Sequence, residues 1–244
     1  MPILYSTVVL PSASDIIAFA NSLASRWMQP DDILLEPAPA SLVRHLWIGP
    51  ISCRQENDLF YASDAWPFTL VHRILNMCTA LRSLSIINLY AQLWYQLEGQ
   101  VPRTVQALCL GPIHGRIDIS ELRCRDVLRS ITSFDTYMAD WEVHDIVTSP
   151  TIRRFCRFYS EPRKVQLAFE QLPCVSKATT LERIQIVCCD EDVRDAAQVL
   201  AHFADSHWCD DRRIVLTSKS GFFGLHRDGI GALYEDWAVG HGLD

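Results

Sequence analysis

The chain has 244 residues, of which 49% are hydrophobic and 21% are charged, so it is long enough to bury a sizeable core without disulfides or a structural metal. Its formal net charge of -7 excludes a general attraction to nucleic acid or to an anionic membrane, because both favour a basic excess. No Gly/Ser/Pro-rich or charge-rich linker divides the sequence, so we expect a single domain over residues 1–244.

One apolar pattern recurs along the chain: an apolar residue, two variable residues, an apolar residue, one variable residue and usually a further apolar residue. Alternation in the last three positions is typical of a strand with one face in the core. The copies are Val43–Ile48, Leu81–Ile86, Val105–Leu110, Leu181–Ile186 and a shortened Ile214–Leu216, with weaker copies at Ile131–Thr136 and Ile152–Arg157 and a first strand near Ser6–Leu10. The middle apolar positions, 21 to 38 residues apart, are Leu46, Leu84, Leu108, Phe134, Phe155, Ile184 and Ile214.

The stretches between these copies have helical spacing of their apolar residues. A strand, a helix and a further strand at such intervals imply parallel neighbours, because a parallel pair needs a crossover. The predicted helices are Ala13–Met28, Pro67–Ala80, Tyr90–Leu97, Ile119–Arg129, Ala139–Thr148, Pro162–Leu172, Asp192–His207 and Gly229–Val239.

Two α/β architectures fit this order of elements. In an irregular leucine-rich-repeat-like solenoid, parallel strands line one face and helices the other, whereas a doubly wound sheet has helices on both faces. The repeated six-residue strand pattern favours the solenoid, because strands covered on both faces would be almost continuously apolar. The helix at Ala13–Met28 and the segment Gly229–Asp244, with its stripe of Leu233, Trp237 and Val239, are then expected to cap the exposed sheet edges.

The sequence contains no common catalytic or cofactor motif. Its ten glycines form neither a dinucleotide-binding fingerprint nor a phosphate-binding loop, and no Gly-x-Ser-x-Gly element is present. His202, His207 and Cys209 are the densest group of metal ligands, but a structural zinc site normally needs four. We therefore expect no enzyme activity, no cofactor and no metal.

Cysteines and apolar runs indicate the compartment. Nine cysteines are an odd number, and most lie among apolar neighbours without a paired spacing, as reduced thiols do. The first basic residue is Arg26, so no secretory signal is evident, and the longest uncharged run, Ser83–Leu97, is too short and too polar to span a bilayer. We expect a cytoplasmic or nuclear protein.

The repeats resemble the C-terminal region of fungal F-box proteins with leucine-rich-repeat-like domains. The similar segments are Leu4–Pro11, Leu42–Pro50, Ala80–Ile86 and Leu181–Ile186. The resemblance implies repeats that hold the substrate of a ubiquitin ligase, which an N-terminal F-box recruits through the Skp1 adaptor. Leu4–Leu10 resembles the strand that follows such a box, which leaves no room for the box itself, and recruitment of Skp1 is therefore doubtful.

Alternation predicts which strand residues face outward and are free to contact an unknown protein partner. Trp47, Arg154 and Arg183 are the expected anchors, because Trp and Arg most often carry interface energy. The run Ile152–Lys164 is strongly basic, and it is either a solvated face or a docking site for an acidic partner. The full predicted set is His45, Trp47, Ser85, Asp135, Arg154, Arg183 and Gln185.

Three functional hypotheses remain open from the sequence. The first is a non-enzymatic protein-recognition scaffold. The second is an enzyme on a doubly wound sheet, with its site at the carboxyl ends of the strands. The third is a truncated adaptor without an independent function. Candidate residues for the enzyme are His114, Asp135, Tyr137, Arg157 and Tyr159.

Overall fold

The computed structural model describes residues 6–25, 39–54, 56–160, 165–188, 193, 197, 210–219 and 228–243. It is an α/β structure with one open sheet of eight strands, and every pair of neighbours is parallel. No helix in the described ranges has both the length and the apolar character needed to cross a membrane.

The strand order follows the chain from β1 to β8 without reversal. A doubly wound sheet reverses its strand order at a switch point, where its ligand crevice opens, and the eight described strands do not. The strands are β1 Thr7–Leu10, β2 His45–Ile48, β3 Ser83–Ile87, β4 Ala107–Gly111, β5 Ser130–Phe134, β6 Arg154–Tyr159, β7 Arg183–Cys188 and β8 Ile214–Ser218.

Seven helices are described, and most agree with the predicted segments. The prediction for Ile119–Arg129 is wrong: this segment forms successive tight turns, such as Leu122 N to Ile119 O at 3.3 Å. The predicted helix Asp192–His207 lies outside the described residues, except for 193 and 197. The helices are α1 Ala13–Ser25, α2 Pro39–Leu42, α3 Phe68–Met77, α4 Ala91–Leu97, α5 Asp140–Thr148, α6 Val165–Glu170 and α7 Gly229–Gly240.

A hydrogen-bond motif repeats at the amino edge of the sheet. The carbonyl of Arg44, just before β2, accepts N–H groups of the next unit from Arg82 at 2.7 Å and Ser83 at 3.0 Å. Because the same pair of bonds recurs in phase with the strands, successive units are stacked in the same way. The other carbonyls that accept such a pair are those of Ser6, Arg82, Gln106, Arg129 and Arg153.

The predicted phase of the fifth strand is wrong. Ile131, and not Phe134, lies opposite Leu108 of β4 and Phe155 of β6. Both residues fit the apolar pattern because they are three apart, but a strand directs them to opposite faces. A core position for Phe134 would have turned Ser133 away from the main core, but Ser133 lies on the same side as Ile131.

Helices cover both faces of the sheet, unequally. On the first face, strand residues such as Leu46, Leu84 and Ile131 pack against α1 to α6 in one large core. On the second face, α7 packs Leu233 and Trp237 in a smaller cluster. The expectation of helices on one side only is therefore wrong for α7, whose apolar stripe covers strand residues that alternation turns away from the main core.

The capping role predicted for the C-terminal segment also needs correction. Its helix lies over the second face from β2 to β7 and not along a sheet edge, as the cluster of Trp47, Phe158 and Val187 with α7 residues shows. Leu233 and Trp237 are buried there as the stripe predicted, but Val239 points away and is 68% exposed.

Candidate interaction surface

Exposed apolar side chains concentrate at the carboxyl edge of the sheet. Eight large hydrophobic side chains are exposed among the described residues, and five lie on the loops or helices that follow β2 to β5. Among these five residues, the exposed fraction is greatest for Tyr137, at 73%, and lowest for Trp141, at 49%. We call these five residues the carboxyl-edge surface: Phe60, Tyr95, Ile113, Tyr137 and Trp141.

Arg116 joins two of these aromatic residues. Its backbone N–H donates to the Tyr95 hydroxyl at 3.3 Å, and its guanidinium carbon lies 4.2 Å from the centroid of the Trp141 ring. Asp118 holds the same guanidinium at 2.9 Å. A cation above an indole face is attracted by the ring's negative face, so Trp141 is held in place although half of it is exposed to solvent.

A second link joins the loops after β4 and β5. The Thr136 hydroxyl accepts from His114 N at 3.2 Å and donates to Phe134 O at 2.8 Å. Ile113 and Tyr137 directly flank this link, so the two loops present them side by side. Ile113 has a φ of 54°, a strained value for a β-branched residue, which surrounding contacts must maintain.

A cleft of about 350 Å³ opens next to this surface, between the loop after β2 and the start of α7. Phe60 and Tyr61 line one side, and Phe134, Asp135 and Ile230 line the other. Its walls are mainly apolar. The cleft therefore extends the carboxyl-edge surface inward.

The carboxylates around the cleft accept hydrogen bonds that join separate segments of the chain. Asp135 follows β5 with a φ of 43°, and it accepts hydrogen bonds from the Ser160 hydroxyl and from Ser160 N at 2.8 Å. Asp228, at the start of α7, accepts from Cys53 N at 2.9 Å and from Gly231 N at 2.7 Å. Burial opposes its charge, but these hydrogen bonds and one from Ser52 prevail and lower the pKa of Asp228.

Three residues proposed for catalysis lie inside the protein. His114, Arg157 and Tyr159 are buried on the first face, whereas Tyr137 is exposed and Asp135 binds Ser160. Burial lowers the pKa of His114 to about 4 and raises that of Tyr159 to about 12, so both are neutral at pH 7. The structure does not bring these five candidates to one accessible point.

His114 nevertheless forms a serine–histidine pair. Its Nε2 lies 2.7 Å from the Ser133 hydroxyl, and its Nδ1 lies 2.7 Å from the Gly115 carbonyl. The carbonyl can only accept, so Nδ1 carries the proton and Nε2 accepts from Ser133, as a general base would. Ser133 is only 3% exposed, however, so a substrate has no direct path to its oxygen.

Arg157 belongs to a buried polar network below the same loops. It is 2% exposed, and its Nη1 donates to Gln171 Oε1 at 2.5 Å. The Gln171 amide in turn donates to Met138 O at 2.9 Å and to Asp140 at 2.7 Å. Burial lowers the pKa of Arg157. The network fixes the chain from the end of β5 to the first turn of α5, which carries both Tyr137 and Trp141.

The predicted anchor Trp47 points to the second face as alternation indicated, but it is not accessible. It is fully buried below α7, where its ring lies 5.1 Å from Tyr234 and 5.3 Å from Trp237. Its indole N–H donates to Gly49 O at 3.0 Å and to Pro50 O at 3.2 Å. The expectation of a solvent-facing anchor is therefore wrong.

The same helix covers two further predicted contact residues. Ser85 is fully buried, so its predicted exposure is also wrong. His45 is half-buried, and its ring lies 4.2 Å from that of His241, just after α7. Burial, His241 and nearby arginines lower the pKa of His45 to about 4.

Three predicted residues remain open and lie close together. Arg154 and Arg183 are exposed neighbours on β6 and β7, and half-buried Gln185 follows on the same face. The Gln185 amide donates to Thr217 at 3.1 Å. Asp135 is separate from them, because it follows β5 at the opposite end of the strands.

Sequence reasoning missed most of the carboxyl-edge surface. Tyr137 entered only as a catalytic candidate, and Phe60, Tyr95, Ile113 and Trp141 were not selected. Apolar residues beside Pro and Gly, as in Gly-Pro-Ile-His-Gly, were a usable signal, because an apolar side chain in such a loop has no partner on its own element.

Comparison with other proteins gives no assignment. The sequence matches no protein-family model, and no curated protein matches it significantly. Among the described residues, no group of three or more His, Cys, Asp or Glu side chains is placed to hold a metal ion. His202, His207 and Cys209 lie outside the described residues.

Proposed function

We propose that the chain is a non-enzymatic protein-recognition scaffold, an irregular leucine-rich-repeat-like solenoid that binds its partner at the carboxyl-edge surface. One observation carries the proposal: five of the eight exposed large apolar side chains of the described residues follow four consecutive strands. Contiguous exposed apolar surface marks interaction sites, and Tyr and Trp are the residues that most often dominate binding energy.

The support beneath these side chains favours a binding role. The Trp141 ring is held by Arg116, and the backbone that carries Tyr137 is fixed through Thr136 and the network around Gln171. A rigid aromatic side chain loses little conformational entropy when a partner binds, so more of the contact energy becomes affinity. A scaffold with such preformed contacts needs no titrating group or cofactor.

The resemblance to fungal F-box proteins extends the proposal to the kind of partner. In that family the repeats hold a substrate protein, so we propose a protein ligand and neither a nucleic acid nor a membrane. The family also uses the Skp1 adaptor, which copurification from the native cell would test. Recovery of Skp1 would support ligase recruitment, whereas a stable partner without Skp1 would support a free-standing scaffold.

Site-specific photo-crosslinking tests the surface directly. A photoreactive phenylalanine analogue replaces Tyr137 in the full chain within the native cell, and Ile17, an exposed apolar residue on α1, carries it as the matched control. We expect a discrete protein adduct from position 137, its loss when Trp141→Ala is added, and none from position 17. Equal adducts at both positions, or an adduct insensitive to Trp141→Ala, would contradict the proposal. No adduct at either would favour a chain without independent function.

The serine–histidine pair favours the enzyme as a second candidate. Ser133 and His114 have the hydrogen bond that a nucleophile and its base require, but both side chains are buried. A fluorophosphonate probe labels accessible activated serines. We expect no labelling of Ser133 in the native protein, and covalent modification there, abolished by His114→Gln, would instead support the enzyme.

A further inference from the structure

We propose that the open part of the second face, at the start of β6 and β7, is a separate binding surface for a carboxylate-rich, extended segment of a partner protein. Arg154 and Arg183 are its central residues, and Gln185 lies beside them. This surface is distinct from the carboxyl-edge surface, because these residues lie at the opposite end of the strands and on the sheet face.

The two arginines form a cross-strand pair of like charge. They are register partners in the parallel ladder, so their side chains leave the same face about 4.8 Å apart. Like charges opposite each other destabilise a sheet. A ligand that brings negative charge between them removes that repulsion, which makes the pair complementary to an anion.

Among the described residues, two neighbouring cations form ion pairs, whereas Arg154 and Arg183 do not. Arg153, one residue before Arg154, binds Glu182 at 2.6 Å, and Lys219 after β8 binds Asp236 of α7. In the part of the chain that the structure describes, neither Arg154 nor Arg183 has an ion pair. Their positive charge therefore remains available to a partner.

The strand residues Cys156 and Gln185 beside the pair are neutral, and Asp236 of α7, the carboxylate that acts on Cys156, is already paired with Lys219. Cys156 lies two residues beyond Arg154 on the same face, and burial raises the pKa of its thiol to about 12, so it adds no negative charge. Gln185 donates to Thr217 through its amide nitrogen, which leaves the amide oxygen as an acceptor for a backbone N–H. A strand-like segment supplies both carboxylates and N–H groups.

The charge pattern fits a short acidic peptide better than a nucleic acid. A guanidinium binds a carboxylate through two parallel N–H groups, and alternate residues of an extended segment place carboxylates on one side about 6–7 Å apart. Strand spacing separates the two arginine backbones by about 4.8 Å, and their long side chains can spread to match the wider spacing of the carboxylates. A nucleic acid, which is negatively charged throughout, would also be repelled by the net charge of -7 of the whole chain.

Fluorescence anisotropy with a labelled decapeptide of alternating Glu and Ser tests this assignment on the full chain. The isosteric Gln-Ser peptide is the ligand control, and the double variant Arg154→Ala/Arg183→Ala is compared with Arg103→Ala/Arg123→Ala, which removes the same charge from exposed residues elsewhere. We expect the first double variant to weaken binding about tenfold or more and the control variant less than about twofold. Binding should also weaken as salt rises from about 50 to about 500 mM.

Defined outcomes would overturn the proposal. These are equal affinity for the Glu-Ser and Gln-Ser peptides, equal effects of the two double variants, or tighter binding of a ten-nucleotide oligothymidine through the same arginines. Tyr137→Ala should leave peptide binding unchanged, so that failure here is separable from failure at the carboxyl-edge surface. Circular dichroism confirms that each variant is folded.

Discussion

Replacing Trp47 with alanine tests whether α7 packs on the second face of the sheet. The side chain is fully buried, and a buried tryptophan removes about 150–250 Å² from water. At about 25 cal/mol per Å², that area corresponds to about 4–6 kcal/mol, close to the 3–5 kcal/mol that such truncations typically cost. We expect Trp47→Ala to lower the free energy of unfolding by about 3–5 kcal/mol.

Urea unfolding followed by far-UV circular dichroism measures this loss without depending on the tryptophan signal. Trp141→Ala is the matched control, because 49% of that side chain is exposed and we expect a loss below about 1 kcal/mol. In a double-mutant cycle, Trp47 and Trp237 should show a coupling of about 0.5–3 kcal/mol. A Trp47→Ala variant as stable as the wild type would refute the packing.

Three further predictions test other parts of the structure. Burial lowers the pKa of His114 to about 4 in the folded protein, below the usual histidine pKa of about 6.5, so the unfolded state takes up the proton first. Stability should therefore fall as pH drops from about 6.5 to about 4, and in urea titrations at pH 7 and 4.5 His114→Gln should show a smaller fall than the wild type. Ile131→Ala should cost about 2–5 kcal/mol in the free energy of unfolding and Thr132→Ala less than about 1 kcal/mol, and the reverse order would contradict the register of β5. Iodoacetamide followed by peptide mapping should modify exposed Cys53 before buried Cys109, and equal rates would contradict this difference in burial.

Local sequence patterns predicted the order of the elements because each unit carries its own apolar alternation. Leu46, Leu84 and Leu108 fall in one register, as their shared position in the pattern indicated. The phase of β5 failed because Ile131 and Phe134 both satisfy an apolar spacing of three. Only the hydrogen-bonded neighbours, which local sequence does not specify, select one of them.

The candidate site was harder to predict because exposure depends on distant parts of the chain. Alternation placed Trp47 and Arg154 on the same face of the sheet, and it gave no indication that α7 would cover only the first of them. Likewise, Tyr95 and Trp141 belong to different helices, and Arg116 contacts both. Such contacts arise from the tertiary fold.

The position of α7 has a consequence for how the protein unfolds. Asp228 at its start accepts a hydrogen bond from the loop after β2. Gly229 lies so close to Ser160 after β6 that an added Cβ would be 2.8 Å from the serine Cβ. Trp237 donates to Ser83 of β3 at 3.4 Å. The strand ladder, by contrast, connects each unit only to the next, and arrays of that kind can fray from their ends. Because α7 contacts units from β2 to β6, local unfolding of one of them also breaks contacts of the others. We therefore expect these units to unfold cooperatively.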